Sequence, residues 1–188
     1  MELDETIKGR RSIRKYARKR VENHLIEELL DLARHAPSSM NGQPWKFVVV
    51  RENRTKRKLV EIKNKYCPIE KQEYKADFLQ KASAIVVVCV DKAQSYDREI
   101  ENGILAAASI LLAAHDRGLG SVYMSAYKKD EPAVSRSIRQ ALGIPEHLEP
   151  VSILPLGYPG EVPELKRMKS LSAMVSYEQF GRRKAKSR

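Results

Sequence analysis

The sequence predicts an α+β fold, and three observations carry that expectation. Residues 84–91, AIVVVCVD, form an apolar run between polar segments, the pattern of a buried strand. Residues 96–120 hold a long helical pattern in which Ile100, Ile104, Ala107, Ala108 and Leu111 fall in register. Around them helices and strands mix without the regular alternation of βαβ units.

The elements follow in order. Residues 2–8 read as a short helix ending near Gly9. Residues 21–36, VENHLIEELLDLARHA, place Leu25, Ile26, Leu29, Leu30, Leu32 and Ala33 on one helical face. Acids sit in its first turns, Arg34 and His35 in its last, and Pro37 follows as a stop. Residues 45–51, WKFVVVR, are a strand, 53–66 an exposed basic helix, and 69–82 a weaker, charged helical stretch. In the long helix polar residues thin out after Asn102, so more than one face is expected to be buried. Its small residues Gly103, Ala106, Ala107 and Ala108 would let another backbone approach closely. Gly118 and Gly120 end it, SVYMS at 121–125 returns as a strand, and a helix near 130–141 and a strand at 150–157 follow. With no internal repeats or low-complexity linkers, 1–188 reads as one domain, with about 182–188 as a disordered basic tail.

A chain of 188 residues with 42% hydrophobic and 31% charged residues is long enough for one domain with a substantial core. The longest predominantly apolar run, Ile104 to Ala114, falls far short of a membrane span. The opening MELDETIKGR lacks the apolar stretch of a secretory signal, so a cytoplasmic location is expected. Cys67 and Cys89 have no metal-site or disulfide spacing. The formal charge of +11 is concentrated at the ends: +5 in residues 1–20, +5 in the last seven residues, and +1 between. A protein that tracks a nucleic-acid groove carries its basic stripe across the body, so a nucleic-acid module is the weaker reading.

The common nucleotide and hydrolase motifs are missing. Gly118-Leu119-Gly120 has no third glycine at the dinucleotide offset, and there is no phosphate-loop lysine motif, paired-histidine metal spacing or GxSxG elbow. Two stretches do carry chemistry. In KGRRSIRKY, residues 8–16, Arg10, Arg11, Ser12 and Arg14 could bind phosphate oxygens through guanidinium forks and a hydroxyl, or form a solvated basic turn. In APSSMNGQPWKF, residues 36–47, Ser38, Ser39, Asn41 and Gln43 both donate and accept, as the polar edge of a planar heterocycle requires, or they cap their own loop.

Together these stretches resemble the FMN-dependent nitroreductase family, which carries an Arg-Arg-Ser-x-Arg opening one helix before a Pro-Ser-x-x-Asn-x-Gln-Pro-Trp loop. AAASILLAAHDRGLGSVYMSAY is similar to its long central helix and flavin-side strand, and LPLGYPGE to its Leu-Gly-Tyr-Pro turn. The resemblance implies a mixed, mainly antiparallel sheet flanked by helices, and a homodimer whose long central helix packs on its copy, with FMN at the subunit interface and the C-terminal segment reaching across. It implies that Arg10, Arg11, Ser12 and Arg14 hold the FMN phosphate and ribityl chain. Pro37, Ser38, Ser39 and Asn41 would line the ring from the partner subunit. Met124, Ser125 and the Ala126 backbone would lie near the ring, and Gly157 would let the backbone approach it. Arg167 would complete the phosphate site, with Lys169 as the alternative and Met168 where the family's basic residue is expected. NADH or NADPH would be the electron donor, and a nitroaromatic, quinone or similar small molecule the acceptor. Reductive dehalogenation and azoline or flavin oxidoreduction are the alternative uses of such a site. In the stretch 60–82, which shapes the substrate entrance in such proteins, Tyr66 and Tyr74 could face a substrate, with packing or simple exposure as the favoured reading. No metal, membrane or nucleic-acid partner is expected.

Overall fold

The computed structural model describes residues 2–67, 75–128 and 131–183. Among them are helices α1 (Leu3–Gly9), α2 (Asn23–Ala33), α3 (Asn53–Lys65), α4 (Glu99–Asp116) and α5 (Ala133–Leu142). The strands are β1 (Trp45–Val50), β2 (Ala84–Asp91), β3 (Gly120–Ser121), β4 (Met124–Ser125) and β5 (Leu148–Gly157). They form one sheet in the order β1-β2-β5-β3, with β4 also paired to β5. Every pairing between these strands is antiparallel. The expected mixed character reduces to one isolated parallel bridge, between Ser12 and Ser121.

The apolar run that predicted a buried strand is the sheet's centre: Ile85 to Val90 are fully buried. Side chains alternate across a strand, so Val86, Val88 and Val90 join the core made with α2 and α4. Ile85, Val87 and Cys89 join a second core with Leu59 and Val60 of α3 and Val134 and Ile138 of α5. The sheet is therefore the middle of three layers, and β-branched residues on both of its faces are what such burial requires.

Three boundaries differ from the sequence expectation, each for a local reason. The strand expected over 121–125 is split into β3 and β4. One register runs through both, with Gly120 opposite Gly157 and Met124 opposite Ile153, which puts Val122 opposite Pro155. Proline has no N–H for the ladder, so the pairing breaks there. The long helix starts at Glu99 because Tyr96 and Asp97 have φ of 51° and 56°, outside any right-handed helix. The helix expected from residue 21 starts at Asn23, and the Val21 N–H donates instead to Ser83 Oγ at 2.8 Å. Of the stretch 69–82, Ala76–Lys81 form a 3-10 helix. Tyr74 and the last five residues of the basic tail lie outside the described residues.

A bulge explains the small residues of α4. Val88 pairs with Ser152 and Cys89 with Pro150, which leaves Val151 extra on β5. Val151 presses on α4, where a Cβ added to Gly103 would lie 2.6 Å from its side chain. Ala106 and Ala107 are fully buried as well. The sequence reading gave Gly103 and Ala107 to a contact between copies, and the structure corrects this: both are covered inside one chain. The face of α4 left exposed holds Ile104, Leu105 and Ala108. Gly103→Ala is expected to lose about 1–2 kcal/mol through overpacking, although alanine is the better helix former by about 1 kcal/mol. Urea denaturation would check it; a more stable variant would mean that α4 backs away from the bulge freely.

Candidate active site

The arginine turn lies across one end of the sheet. Ile13 N donates to Ser121 O at 3.0 Å, Ala17 N to Tyr158 O at 2.9 Å, and Gly160 N to Lys15 O at 2.8 Å. Glycines make the approach possible: an added Cβ would lie 2.7 Å from Ile13 at Gly120 and 2.8 Å from the Tyr16 ring at Gly157. Gly157 thus admits the Tyr16 ring, whose hydroxyl donates to Ile13 O at 2.7 Å and whose pKa burial pushes upward.

Glu161 closes the turn. Its Oε1 accepts from Arg14 N at 2.7 Å and Lys15 N at 3.0 Å. These backbone donors, Arg14's above all, hold its carboxyl below the ordinary value of 4.5. A lowered folded-state pKa stabilises the protein above pH 4.5, and that contribution is lost as pH falls through the lowered value. Wild type should therefore melt higher than Glu161→Gln at pH 7, and the gap should close as the pH falls below 4.5. Thermal melts across that range check it; a constant gap would rule out the carboxylate as the titrating anchor.

The four predicted phosphate ligands are placed differently. Arg11 Nη1 donates to the carbonyls of Lys8, Gly9 and Arg10 at 2.7, 3.0 and 3.0 Å, capping α1. Arg10 is half-buried near His115, whose imidazole is held down by burial first and then by Arg10 and Arg11. The side chain of Ser12 is exposed. Arg14 reaches a cavity of about 410 Å³, lined also by Lys63, Tyr66, Phe78, Tyr123, Met124 and Ser125. Met124 and Ser125 were expected at the site; Lys63 and Phe78 were not, and Tyr66 lines the cavity while packing against the second core, with its hydroxyl 3.4 Å from Ser137 Oγ.

Lys63 is the main addition. Its Nζ donates to Ser125 O at 2.7 Å, and burial lowers its pKa below 10.5. Ser125 is held in turn, with its Oγ donating to Tyr127 O at 2.5 Å. Two cations against aromatic and thioether walls suit a flat ring that carries negative charge, and the arginine turn beside them suits its phosphate. A larger cavity of about 570 Å³, between α2 and β1, contains none of the predicted ligands.

The serine loop is well built but elsewhere. Asn102 of α4, almost fully buried, accepts from Ser39 N at 3.0 Å and donates to Ser95 O at 3.2 Å. Its own carbonyl takes Trp45 Nε1 at 2.9 Å. Ser38 Oγ accepts from Gln43 N, and Asn41 Oδ1 from Gln43 Nε2. Met40, Asn41 and Gln43 have φ of 48°, 54° and 46°, and Gly42 has no room for a Cβ beside Gln94 O. Pro37 and Asn41 are exposed. The loop feeds β1 at Trp45, level with Val90, whereas the arginine turn lies beyond the other end, where Val50 and Pro155 flank Ile85. Five residues of strand separate the two levels, about 16 Å. One chain therefore does not bring Pro37, Ser38, Ser39 and Asn41 together with the arginine turn, while Met124 lies between the two levels, opposite Ile153 and in line with Val87. Arg167 stands exposed on the segment after Glu161.

No group of histidine, cysteine and carboxylate side chains among the described residues could hold a metal ion, and no helix among them is long and apolar enough to cross a membrane.

The nitroreductase family model matches residues 7–158. A Methanothermobacter thermautotrophicus protein provisionally named NADH dehydrogenase/NAD(P)H nitroreductase is 37% identical over 164 residues, covering 87% of this chain and 80% of its own. The FMN-dependent nitroreductase of Clostridium difficile R20291 superposes with a TM-score of 0.81 at 29% identity, over 93% of this chain and 98% of that one. An iodotyrosine deiodinase solved with FMN and 3-iodo-L-tyrosine gives 0.78 at 26% identity, over 95% and 100%. The arginine turn, the serine loop and all five strands fall inside the matched span, and the chain belongs to the nitroreductase family.

Proposed function

We propose that this chain is an FMN-dependent oxidoreductase that takes electrons from NADH or NADPH and passes them to nitroaromatic, quinone or similar acceptors. The observation that carries the reading is the cavity where Arg14 and Lys63 bring two cations to a wall of Tyr66, Phe78, Tyr123 and Met124. Bound FMN supplies the redox chemistry, taking up and giving back a hydride equivalent. The chain's residues bind, orient and polarise. Arg10, Ser12 and Arg14 bind the phosphate, with Arg167 from the C-terminal segment, and Arg11 adds the donors that its carbonyl cap leaves free. Met124 and Ser125, which line the cavity, would contact the ring. Lys63, fixed on the Ser125 carbonyl, would hold an ammonium in the cavity that favours the more negative, reduced form of a bound flavin. Donor and acceptor take turns at one open face, so ping-pong kinetics are expected.

The serine loop completes this site from a second copy of the chain. The separation of about 16 Å supports that assembly, because a single chain holds the serine loop and the arginine turn at opposite ends of its sheet. So do Val162, Leu165, Leu171 and Phe180, apolar residues of the C-terminal segment that a single chain leaves mostly exposed. Light scattering on the FMN-loaded protein tests the dimer, and a flavin-loaded monomer would sink it.

The visible absorption spectrum tests the activity. The purified protein, or the protein given FMN, should show a flavin spectrum that bleaches when NADH or NADPH is added without oxygen. A protein that stays colourless in the presence of FMN would remove the reading. The likeness to a deiodinase over 95% of this chain favours reductive dehalogenation as the second reading. Iodide release from 3-iodo-L-tyrosine at a rate above that of nitroaromatic reduction would put it first.

A further inference from the structure

We infer that the chain carries a second anion site, at the N-terminal end of α3, which binds a phosphomonoester or diphosphate group. A cavity of about 620 Å³ opens there between residues 17–20, the end of β1, the start of α3 and residues 81–83. Arg18, Lys19, Arg20, Arg51, Lys56 and Lys81 line it, and no carboxylate does. It shares no lining residue with the cavity of Arg14 and Lys63.

The floor of this cavity is more than loose surface charge. Lys56 is only 6% exposed, and its Nζ donates to Gln80 O at 3.2 Å and Ala82 O at 2.9 Å. An ammonium has three donors, so one remains. None of the ion pairs among the described residues gives Lys56 a carboxylate, and burial lowers its pKa. Arg51 gives one bond, from Nη2 to Val21 O at 2.7 Å, and keeps further donors. Its guanidinium is held down by burial and then by Arg20, with Glu22 offsetting part of this. The lining also includes Asn53, in the first turn of α3, where backbone N–H groups are free to meet an anion. Like charges held this close repel one another, and a phosphate group relieves the repulsion while using the spare donors.

The site has a spatial relation to the chemistry. Lys56 and Lys63 are seven residues apart on α3, which puts them on one face about 10 Å apart along the axis. Two sources offer the required chemistry: the 2′-phosphate of NADPH, which rests on the proposed function, and a free phosphorylated molecule, which does not. The first would make the protein prefer NADPH to NADH.

The test titrates inorganic pyrophosphate into FMN-saturated protein by calorimetry, comparing wild type with Arg20→Ala/Lys81→Ala. Both residues are exposed and lie outside the cavity of Arg14 and Lys63. Wild type should bind more weakly as salt rises, and the variant should bind about tenfold more weakly than wild type. Equal binding by both, or none by wild type, would overturn the site. KM measurements on the two proteins then assign the source. A rise for NADPH alone identifies the donor's 2′-phosphate, while unchanged values alongside lost pyrophosphate binding identify a free phosphorylated ligand. If the protein takes up no FMN, the proposed function fails, and the same calorimetric comparison still decides the anion site.

Discussion

Asn102→Leu is expected to lose about 3 kcal/mol of stability and most of the protein's affinity for FMN. Leucine has the same number and branching of side-chain heavy atoms as asparagine but neither donates nor accepts. The substitution leaves the fully buried Ser95 O and the half-buried Ser39 N without their partner. A buried polar group left unpaired costs about 1–3 kcal/mol. The Trp45 bond to the backbone carbonyl survives, so the sheet entrance is kept while the serine loop comes loose. Three residues of that loop stand at positive φ without being glycine, a conformation that persists only where the surroundings enforce it. Urea denaturation and the flavin content of the purified variant check both parts. A variant that is destabilised yet keeps full FMN affinity would detach the loop from the site.

Lys63→Met should reduce NAD(P)H-driven turnover about 100-fold, the usual scale for removing one preorganised electrostatic contact. Methionine keeps the length of the stem, so the packing loss is small, although the Ser125 carbonyl loses its donor. The pH profile separates charge from packing. Burial lowers the Lys63 pKa, so the ammonium loses its proton below pH 10.5 and activity should fall on that alkaline limb. Lys63→Arg, whose guanidinium stays charged there, should retain activity at the higher pH. A limb that is the same in Lys63→Arg as in wild type would show that another group sets it.

Much of the fold can be read in the sequence because burial leaves a periodic trace. The run at 84–91 has the pattern of a strand buried on both faces, whereas the spacing in the long helix shows the helix but not its register. Of the positions read from it only Ala107 is buried, Ile104 and Ala108 are exposed, and the fully buried Ile110 falls outside them. The misreadings come from residues whose reason lies elsewhere in the chain. Gly103 fits a helix-to-helix contact and a sheet bulge equally well, and the bulge is a property of Val151, not of the helix. Pro155 breaks a strand some thirty residues earlier in the chain, which no local pattern announces. The arginine turn and the serine loop are legible as motifs because they are runs of specialised residues. Lys63 is not, since it stands in a helix with Lys56, Lys58 and Lys65 and nothing local says which lysine folds inward. Glu161 and Asn102 left faint signals, one as the last residue of LPLGYPGE and the other as the last strongly polar residue before an apolar stretch.

The placement of the serine loop and the arginine turn at opposite ends of one sheet has a genetic consequence. If each site takes its cations from one chain and its loop from another, two inactive chains can complement each other. A copy altered at Arg14 still offers a sound loop, and a copy altered at Asn41 still offers sound cations. Mixed as heterodimers, they would form one doubly damaged site and one intact site. Half of wild-type activity per heterodimer would then come from two chains that have almost none apart.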